Sequence, residues 1–97
     1  MSDFIFLMHD DAPGGARLDW DPYLTRLREA GVFQGGSPIG EGACVKKSGD
    51  APQPTAHISG FVRVTADSFE HARSLLPGNP VFEAGGTVEI RLLPLTS

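Results

Sequence analysis

The sequence predicts a single α+β domain in which two β-α-β units contribute to one sheet. Three observations favour this fold class: short segments of alternating apolar residues predict strands, segments with helical periodicity separate them, and 97 residues provide for one hydrophobic core. Hydrophobic residues make up 40% of the chain and charged residues 21%, a composition typical of folded globular proteins. We therefore expect residues 1–97 to form one domain.

The first half of the chain predicts a strand, a helix and a second strand. Residues 4–9 carry apolar side chains at both odd and even positions, which is typical of a strand inside a sheet. Asp21 followed by Pro22 predicts a helix start, because the carboxylate can cap free backbone N–H groups and proline suits the first helical position. Gly31 predicts the end of this helix, and residues 32–39 predict the second strand.

The second half predicts a strand, a helix and a last strand after a turn-rich insert. Residues 43–47 and 55–58 are expected to form a ragged hairpin within this insert. Alternation over residues 58–65 predicts the third strand. Asp67, three positions before a glutamate, predicts the cap of the second helix. Residues 87–92 have one apolar and one polar face, as in an edge strand.

This order of elements is the split βαβ pattern of ferredoxin-like βαββαβ folds, here with a hairpin-like insert. Two helices on one face of the sheet leave the other apolar face of the first strand uncovered. A surface of that kind usually marks a partner interface. We therefore expect a homodimer that forms through the open sheet face.

Charge and segment patterns exclude several classes of partner. The net charge is −4 and the eight Lys and Arg residues are scattered, whereas binding of nucleic acid needs a concentrated basic face. The apolar run at residues 4–8 is far shorter than the roughly 20 residues of a membrane span and lacks the basic flank of a signal peptide. Cys44 has no second cysteine to pair with, which agrees with a reducing compartment. We expect a cytoplasmic location, no nucleic-acid partner and no membrane partner.

His9 is the strongest candidate for chemistry, because it follows the first strand and precedes Asp10 and Asp11. A histidine beside a carboxylate suits proton transfer near neutral pH. The alternative is that these side chains are solvated turn residues. His57, on the insert before the third strand, is the second candidate, with a role as an exposed loop residue as its alternative. Consecutive residues point in different directions, so we expect no metal site here.

Aromatic residues provide the candidate ligand contacts. Trp20, Phe61 and Phe82 could line an apolar pocket, and each could equally belong to the core. No glycine pair forms a GxGxxG motif or a P-loop, so we expect no nucleotide and no cofactor. Cys44 is expected to be a buried structural thiol rather than a nucleophile, since free cysteines are among the most buried residues.

Four segments together resemble the YCII-related family, in particular its DGPF branch: residues 4–8, 27–32, 60–64 and 85–91. The resemblance covers nearly the whole chain. It implies a dimeric α+β barrel, in which two four-stranded sheets face each other and leave a cleft bordered by loops and helix ends.

The sequence departs from this family in the residues of its suggested His and Asp pair. The predicted first helix contains no histidine, and the segment after the second helix begins with the amide of Asn79 instead of a carboxylate. The DGPF stretch is reduced to residues 49–52. These departures favour a dimer that binds a small molecule. The alternatives are a cofactor-free acid-base enzyme with His9 or His57 as base and Asp10 as orienting group, and a protein-interaction module.

Overall fold

The structure is a computed structural model that describes residues 1–13 and 19–95. Its elements follow in the order β1 (Ser2–His9), α1 (Asp21–Glu29), β2 (Phe33–Pro38), β3 (Ile58–Ala66), α2 (Phe69–Ser74), α3 (Pro80–Glu83) and β4 (Val88–Leu93). The predicted α+β fold class is therefore confirmed. No helix among the described residues is long and apolar enough to cross a membrane.

The four strands form one antiparallel sheet in the order β2-β3-β1-β4. Strand β1 lies inside the sheet, as its two apolar faces predicted, and β4 lies at an edge. Phe6 of β1 stands between Val62 of β3 and Ile90 of β4. Leu7 stands between Phe61 and Glu89 on the opposite face.

The hydrophobic core lies between the sheet and the helices. Phe6, Leu27 and Val64 are almost completely buried in it. On the other face of β1, Ile5 and Leu7 are only partly buried, because none of the helices in residues 1–13 and 19–95 covers this side of the sheet. We call this uncovered side, with Ile5, Leu7 and Phe61 at its centre, the open face.

Both predicted helix caps are displaced by one residue. Trp20 is the N-cap residue of α1, and the carboxylate of Asp19 accepts a hydrogen bond from the backbone N–H of Asp21. The N-cap of α2 is Ser68, not Asp67. Its hydroxyl accepts from the backbone N–H of His71 at 3.1 Å, which is the bond that a cap residue makes three positions into a helix.

The insert between β2 and β3 forms no strands. Residues 39–57 are all exposed, because the segment contains three glycines and two prolines and lacks a sustained apolar alternation that could pair across a hairpin. Cys44 lies within this exposed insert, so the expectation of a buried thiol is wrong. The helix α3 was also not predicted. Asn79 and Pro80 supply its start, as a cap and as the first helical residue.

Candidate functional site

The open face of the sheet carries an apolar centre with charged side chains beside it. The antiparallel register places Arg63 and Arg91 on either side of Ile5, and places Phe61 and Glu89 on either side of Leu7. His9 follows two residues after Leu7 at the end of β1. Because alternate residues of a strand share one face, acidic, basic and apolar groups occupy one continuous surface here.

His9 and Glu89 form a hydrogen-bonded pair across β1 and β4. Nε2 of His9 lies 2.9 Å from Oε1 of Glu89. The exposed fractions of the two side chains are 20% and 34%, so both are partly sheltered and still accessible to a ligand. A histidine held by a carboxylate is the arrangement that orients an imidazole for proton transfer.

The charge on Glu89 decides which nitrogen of His9 carries the proton. The hydrogen bond from His9 lowers the pKa of Glu89, and the Arg91 guanidinium, 3.0 Å from the other carboxylate oxygen, lowers it further. An ionised carboxylate only accepts hydrogen bonds, so Nε2–H of a neutral His9 donates to it. Nδ1 is then the nitrogen with a free lone pair. No group of residues 1–13 and 19–95 makes a hydrogen bond to Nδ1 of His9.

His57 lies beside His9, so the structure brings the two predicted histidines together. Their ring centroids are 4.9 Å apart with an edge-to-face angle of 71°. A backbone hydrogen bond holds the two chain segments together: the N–H of Asp10 donates to the carbonyl oxygen of His57 at 2.6 Å. The side chain of Asp10 is exposed and makes no hydrogen bond to a described residue. The carboxylate that orients His9 belongs to Glu89 instead.

Asp11 holds the end of β1 against the beginning of β4. Its carboxylate accepts hydrogen bonds from the backbone N–H of Thr87 at 2.7 Å and from the Thr87 hydroxyl at 2.6 Å. The hydroxyl bond lowers the pKa of Asp11 most, followed by the backbone bond. The N–H of His9 also donates to the carbonyl oxygen of Thr87. These bonds keep His9 and Glu89 on adjacent, aligned strand ends.

A separate cavity of about 380 Å³ lies on the helix-covered side of the sheet. Trp20 and Leu24 border it from the α1 side, Met8 from β1 and Val81 from α3. Phe61 also borders it, although strand alternation directs its side chain to the open face, where it neighbours Leu7. The three predicted ligand contacts therefore do not share one surface.

Phe82 is the predicted ligand contact that borders neither surface. It lies on α3 with 44% of its surface exposed and is absent from the cavity wall. The neighbouring Val81 takes the inward position on this short helix. Of the three aromatic residues, only Trp20 and Phe61 border the cavity.

Asn79 has a structural role where the resembled family has a carboxylate. Its side chain is fully buried and accepts a hydrogen bond from the backbone N–H of Phe82, which caps α3. The neighbouring Tyr23 hydroxyl donates to the carbonyl oxygen of Leu75. Burial raises the pKa of Tyr23 to about 12. Both groups lie on the helix-covered side, away from His9.

Glu89 is the site residue that sequence reasoning missed. Its place on the polar face of the last strand was predicted, but its pairing with His9 depends on the register between β1 and β4. The signal available in the sequence was a lone acidic residue between apolar positions of an edge strand. Among the described residues, no group of three or more His, Cys, Asp or Glu side chains is arranged to hold a metal ion.

No protein-family model and no curated protein matches this chain. A solved structure does match: 5-chloro-2-hydroxyhydroquinone dehydrochlorinase from Burkholderia phenoliruptrix AC1100, in complex with 2,5-dihydroxybenzoquinone. The TM-score is 0.53 over 92% of this chain and 90% of that chain, and the sequence identity is 19%. The two chains share a fold. At this identity the similarity extends to the architecture and no further.

Proposed function

We propose that the protein binds a small organic molecule on the open face and transfers a proton to or from it through His9. One observation carries this proposal, the 2.9 Å hydrogen bond between His9 and Glu89 beside the apolar centre of the open face. The pair supplies the base and its orienting carboxylate, and Leu7 and Phe61 supply an apolar support for a flat ligand. No cofactor takes part in the proposed reaction.

The chemistry follows from the proton positions. Glu89 keeps the proton of a neutral His9 on Nε2, so Nδ1 is the atom that accepts a proton from a bound acid. The carboxylate then stabilises the imidazolium that forms, through the same hydrogen bond. Return of the proton to another position of the ligand would complete an isomerisation. In an elimination, the electron pair left on the ligand would expel a leaving group as an anion, such as chloride, and His9 would pass the proton to solvent. Transfer of this kind is efficient when the ligand has an acidic hydroxyl or an acidic C–H group.

The matching dehydrochlorinase supports this choice of ligand. Its structure holds 2,5-dihydroxybenzoquinone, which is a flat, hydroxylated ring. A molecule of that shape has acidic hydroxyl groups for His9 and a ring face for Leu7 and Phe61. We propose hydroxylated aromatic compounds or quinones as the ligand class of the open face.

A second copy of the chain would complete the cleft. In the proposed homodimer, two open faces stand opposite each other and the ligand lies between them. The partly buried Ile5 and Leu7 provide the apolar surface for such an assembly. This arrangement would also exclude bulk water from the His9 and Glu89 pair, which strengthens the hydrogen bond between them.

The experiment compares chloride release from 5-chloro-2-hydroxyhydroquinone and binding of 2,5-dihydroxybenzoquinone from about pH 5 to about pH 8, the range in which histidine changes charge. We expect His9→Gln to lower the rate by about 100-fold or more, as for loss of a general base, with the bound complex retained. His71→Gln is the matched control, because His71 lies on α2, away from the open face. A His9→Gln variant as active as the wild type, or a wild type without turnover or binding, contradicts the proposal.

A binding role without catalysis is the second candidate. The cavity next to Trp20 has about 380 Å³, which falls within the range of about 300 to 1,000 Å³ that small-molecule sites occupy. A ligand in this cavity would change the fluorescence of Trp20, the single tryptophan. Ligand binding that changes this fluorescence and is insensitive to His9→Gln would favour the cavity over the open face.

A further inference from the structure

Two arginines share the open face with His9 and Glu89, and they differ in their surroundings. The register aligns Gly35 of β2, Arg63 of β3, Ile5 of β1 and Arg91 of β4 in one row across the sheet. All of these positions lie on the open face, which none of the described helices covers. The row is two residues along β1 from Leu7, at the centre of the open face.

Arg91 already has a carboxylate partner, whereas Arg63 has none among the described residues. The guanidinium of Arg91 is 3.0 Å from Glu89. Arg63 is exposed, and no acidic group of residues 1–13 and 19–95 lies within salt-bridge distance of it. The acidic residue nearest to Arg63 in the sheet register is Asp3, which pairs with Thr65, two residues further along β3. The guanidinium of Arg63 is therefore available to an external anion.

The space next to Arg63 is open. Gly35 pairs with Arg63 across β2 and β3, and no atom lies within 4 Å of the position that a Cβ at residue 35 would take. Gly35 has a φ of +120°, a backbone conformation that residues with side chains rarely adopt. The strand therefore leaves one side of Arg63 without a neighbouring side chain.

The dimensions suit a single ring. Residues two apart in an antiparallel strand are about 6.8 Å apart, so the row of Arg63 and the row of Leu7 are separated by about the length of a substituted benzene ring. The next row along β1 belongs to His9. A ring that lies on Leu7 and Phe61 would thus have one end towards the long side chain of Arg63 and the other towards His9.

We infer that Arg63 makes the open face selective for planar anions, specifically aromatic carboxylates or phenolates that also carry an ionisable hydroxyl. The inference rests on the proposed function, since it names the substrate class of the same site. The guanidinium donates two parallel hydrogen bonds to a carboxylate, or donates to the single oxygen of a phenolate. The apolar centre supports the ring, and Nδ1 of His9 faces the hydroxyl. Arg91 holds Glu89 in place and does not bind the anion.

The test measures binding of a matched pair of probes, 2,5-dihydroxybenzoate and its neutral amide, to the full chain by calorimetry. We expect the wild type to prefer the carboxylate. Arg63→Gln should weaken carboxylate binding by about 10-fold or more and change amide binding little, because it removes a charge-assisted hydrogen bond only from the anion. Arg63→Lys should retain part of the preference, and Arg73→Gln, an exposed arginine on α2, should retain all of it.

Several results would overturn the inference. One is a wild type that binds both probes equally or neither of them, and another is an Arg63→Gln variant that keeps the preference for the carboxylate. A third is an Arg63→Gln variant that binds the anion normally but loses the dimer, which would assign Arg63 to the subunit interface. His9→Gln separates this inference from the proposed function, because it should lower the rate of proton transfer by about 100-fold or more and keep the preference for the anion.

Discussion

Glu89 and His9 show how one contact between distant residues creates a candidate site. They are 80 positions apart in the sequence, and the β1–β4 register places them 2.9 Å apart. Asp10 was the carboxylate expected to orient His9, because it is the next residue along the chain. Adjacent residues of an extended chain point to opposite sides, so a cross-strand neighbour meets the imidazole better than the adjacent residue does.

The first residue-scale prediction concerns the pKa of Glu89. The hydrogen bond from His9 is the largest cause that lowers it below the ordinary value of 4.5, so His9→Ala should raise it towards that value. Carboxyl resonances followed by NMR during a pH titration will measure the change. Asp11 is the comparison group: hydrogen bonds from Thr87 are the main causes of its lowered pKa and the charge of His9 is a smaller one, so its pKa should rise less than that of Glu89. An unchanged Glu89 pKa in His9→Ala would show that the pair does not form in solution.

The same shift determines the direction of a pH effect on stability. The pKa of Glu89 is lower in the folded chain than in the unfolded chain, so the unfolded state binds more protons at acidic pH. The stabilisation by this carboxylate is therefore present above about pH 4.5 and disappears as the pH falls through the lower, folded value. The pKa of Asp11 is also lowered in the folded chain, so its contribution to stability is likewise lost as the pH falls.

At the scale of elements, the helix α2 depends on a cap that lies one residue from the predicted one. Ser68→Ala removes the hydroxyl that accepts the backbone N–H of His71, and should lower the free energy of unfolding by about 0.5 to 2 kcal/mol. Chemical denaturation measures the difference. Asp67→Ala is the matched control with a smaller expected effect, because its carboxylate makes only an exposed contact with His71 at 3.8 Å. A larger loss in Asp67→Ala would assign the cap to Asp67.

Glycines in the strands permit contacts that the elements need. A Cβ on Gly36 would lie 2.7 Å from the carbonyl oxygen of Phe61 and 3.3 Å from atoms of Val62. Strand β2 could therefore not approach β3 in this register with a larger residue at position 36. Gly36 thus permits the close approach of β2 to β3, and Gly35, with a φ of +120°, lies at the register shift that follows Phe33.

For the whole molecule, the open face predicts self-association. Sedimentation at micromolar concentration should give about twice the 10.3 kDa mass of one chain, because the apolar centre of the open face lacks a covering helix. Leu7→Arg should shift the protein to the monomer. The matched control is Leu92→Arg, since Leu92 pairs with Phe4 on the other face of the sheet and is 53% exposed. A monodisperse wild-type monomer, or a dimer that survives Leu7→Arg, would contradict assembly through the open face.

Local patterns in the amino-acid sequence were sufficient for the fold class, the order of the strands along the chain and the interior position of β1. Each of these follows from side-chain periodicity, which is a property of neighbouring residues. His9 and His57 were also identified in this way, because both occur where a strand begins or ends. The expectation of a buried Cys44 was wrong because it was based on the residue type and not on the turn-rich segment around it. The cap of α2 required a choice between Asp67 and Ser68, and both residue types cap helices.

Only the tertiary structure decided which side chains meet. Register determined that Glu89 binds His9 and that Arg63 and Arg91 flank Ile5. Tertiary packing determined that Trp20 and Phe61 border one cavity while Phe82 does not. The physical reason is that a shift of one residue between paired strands moves every side chain to the opposite face of the sheet. Composition and periodicity are nearly unchanged by such a shift, whereas the contacts that form the candidate site depend on it completely.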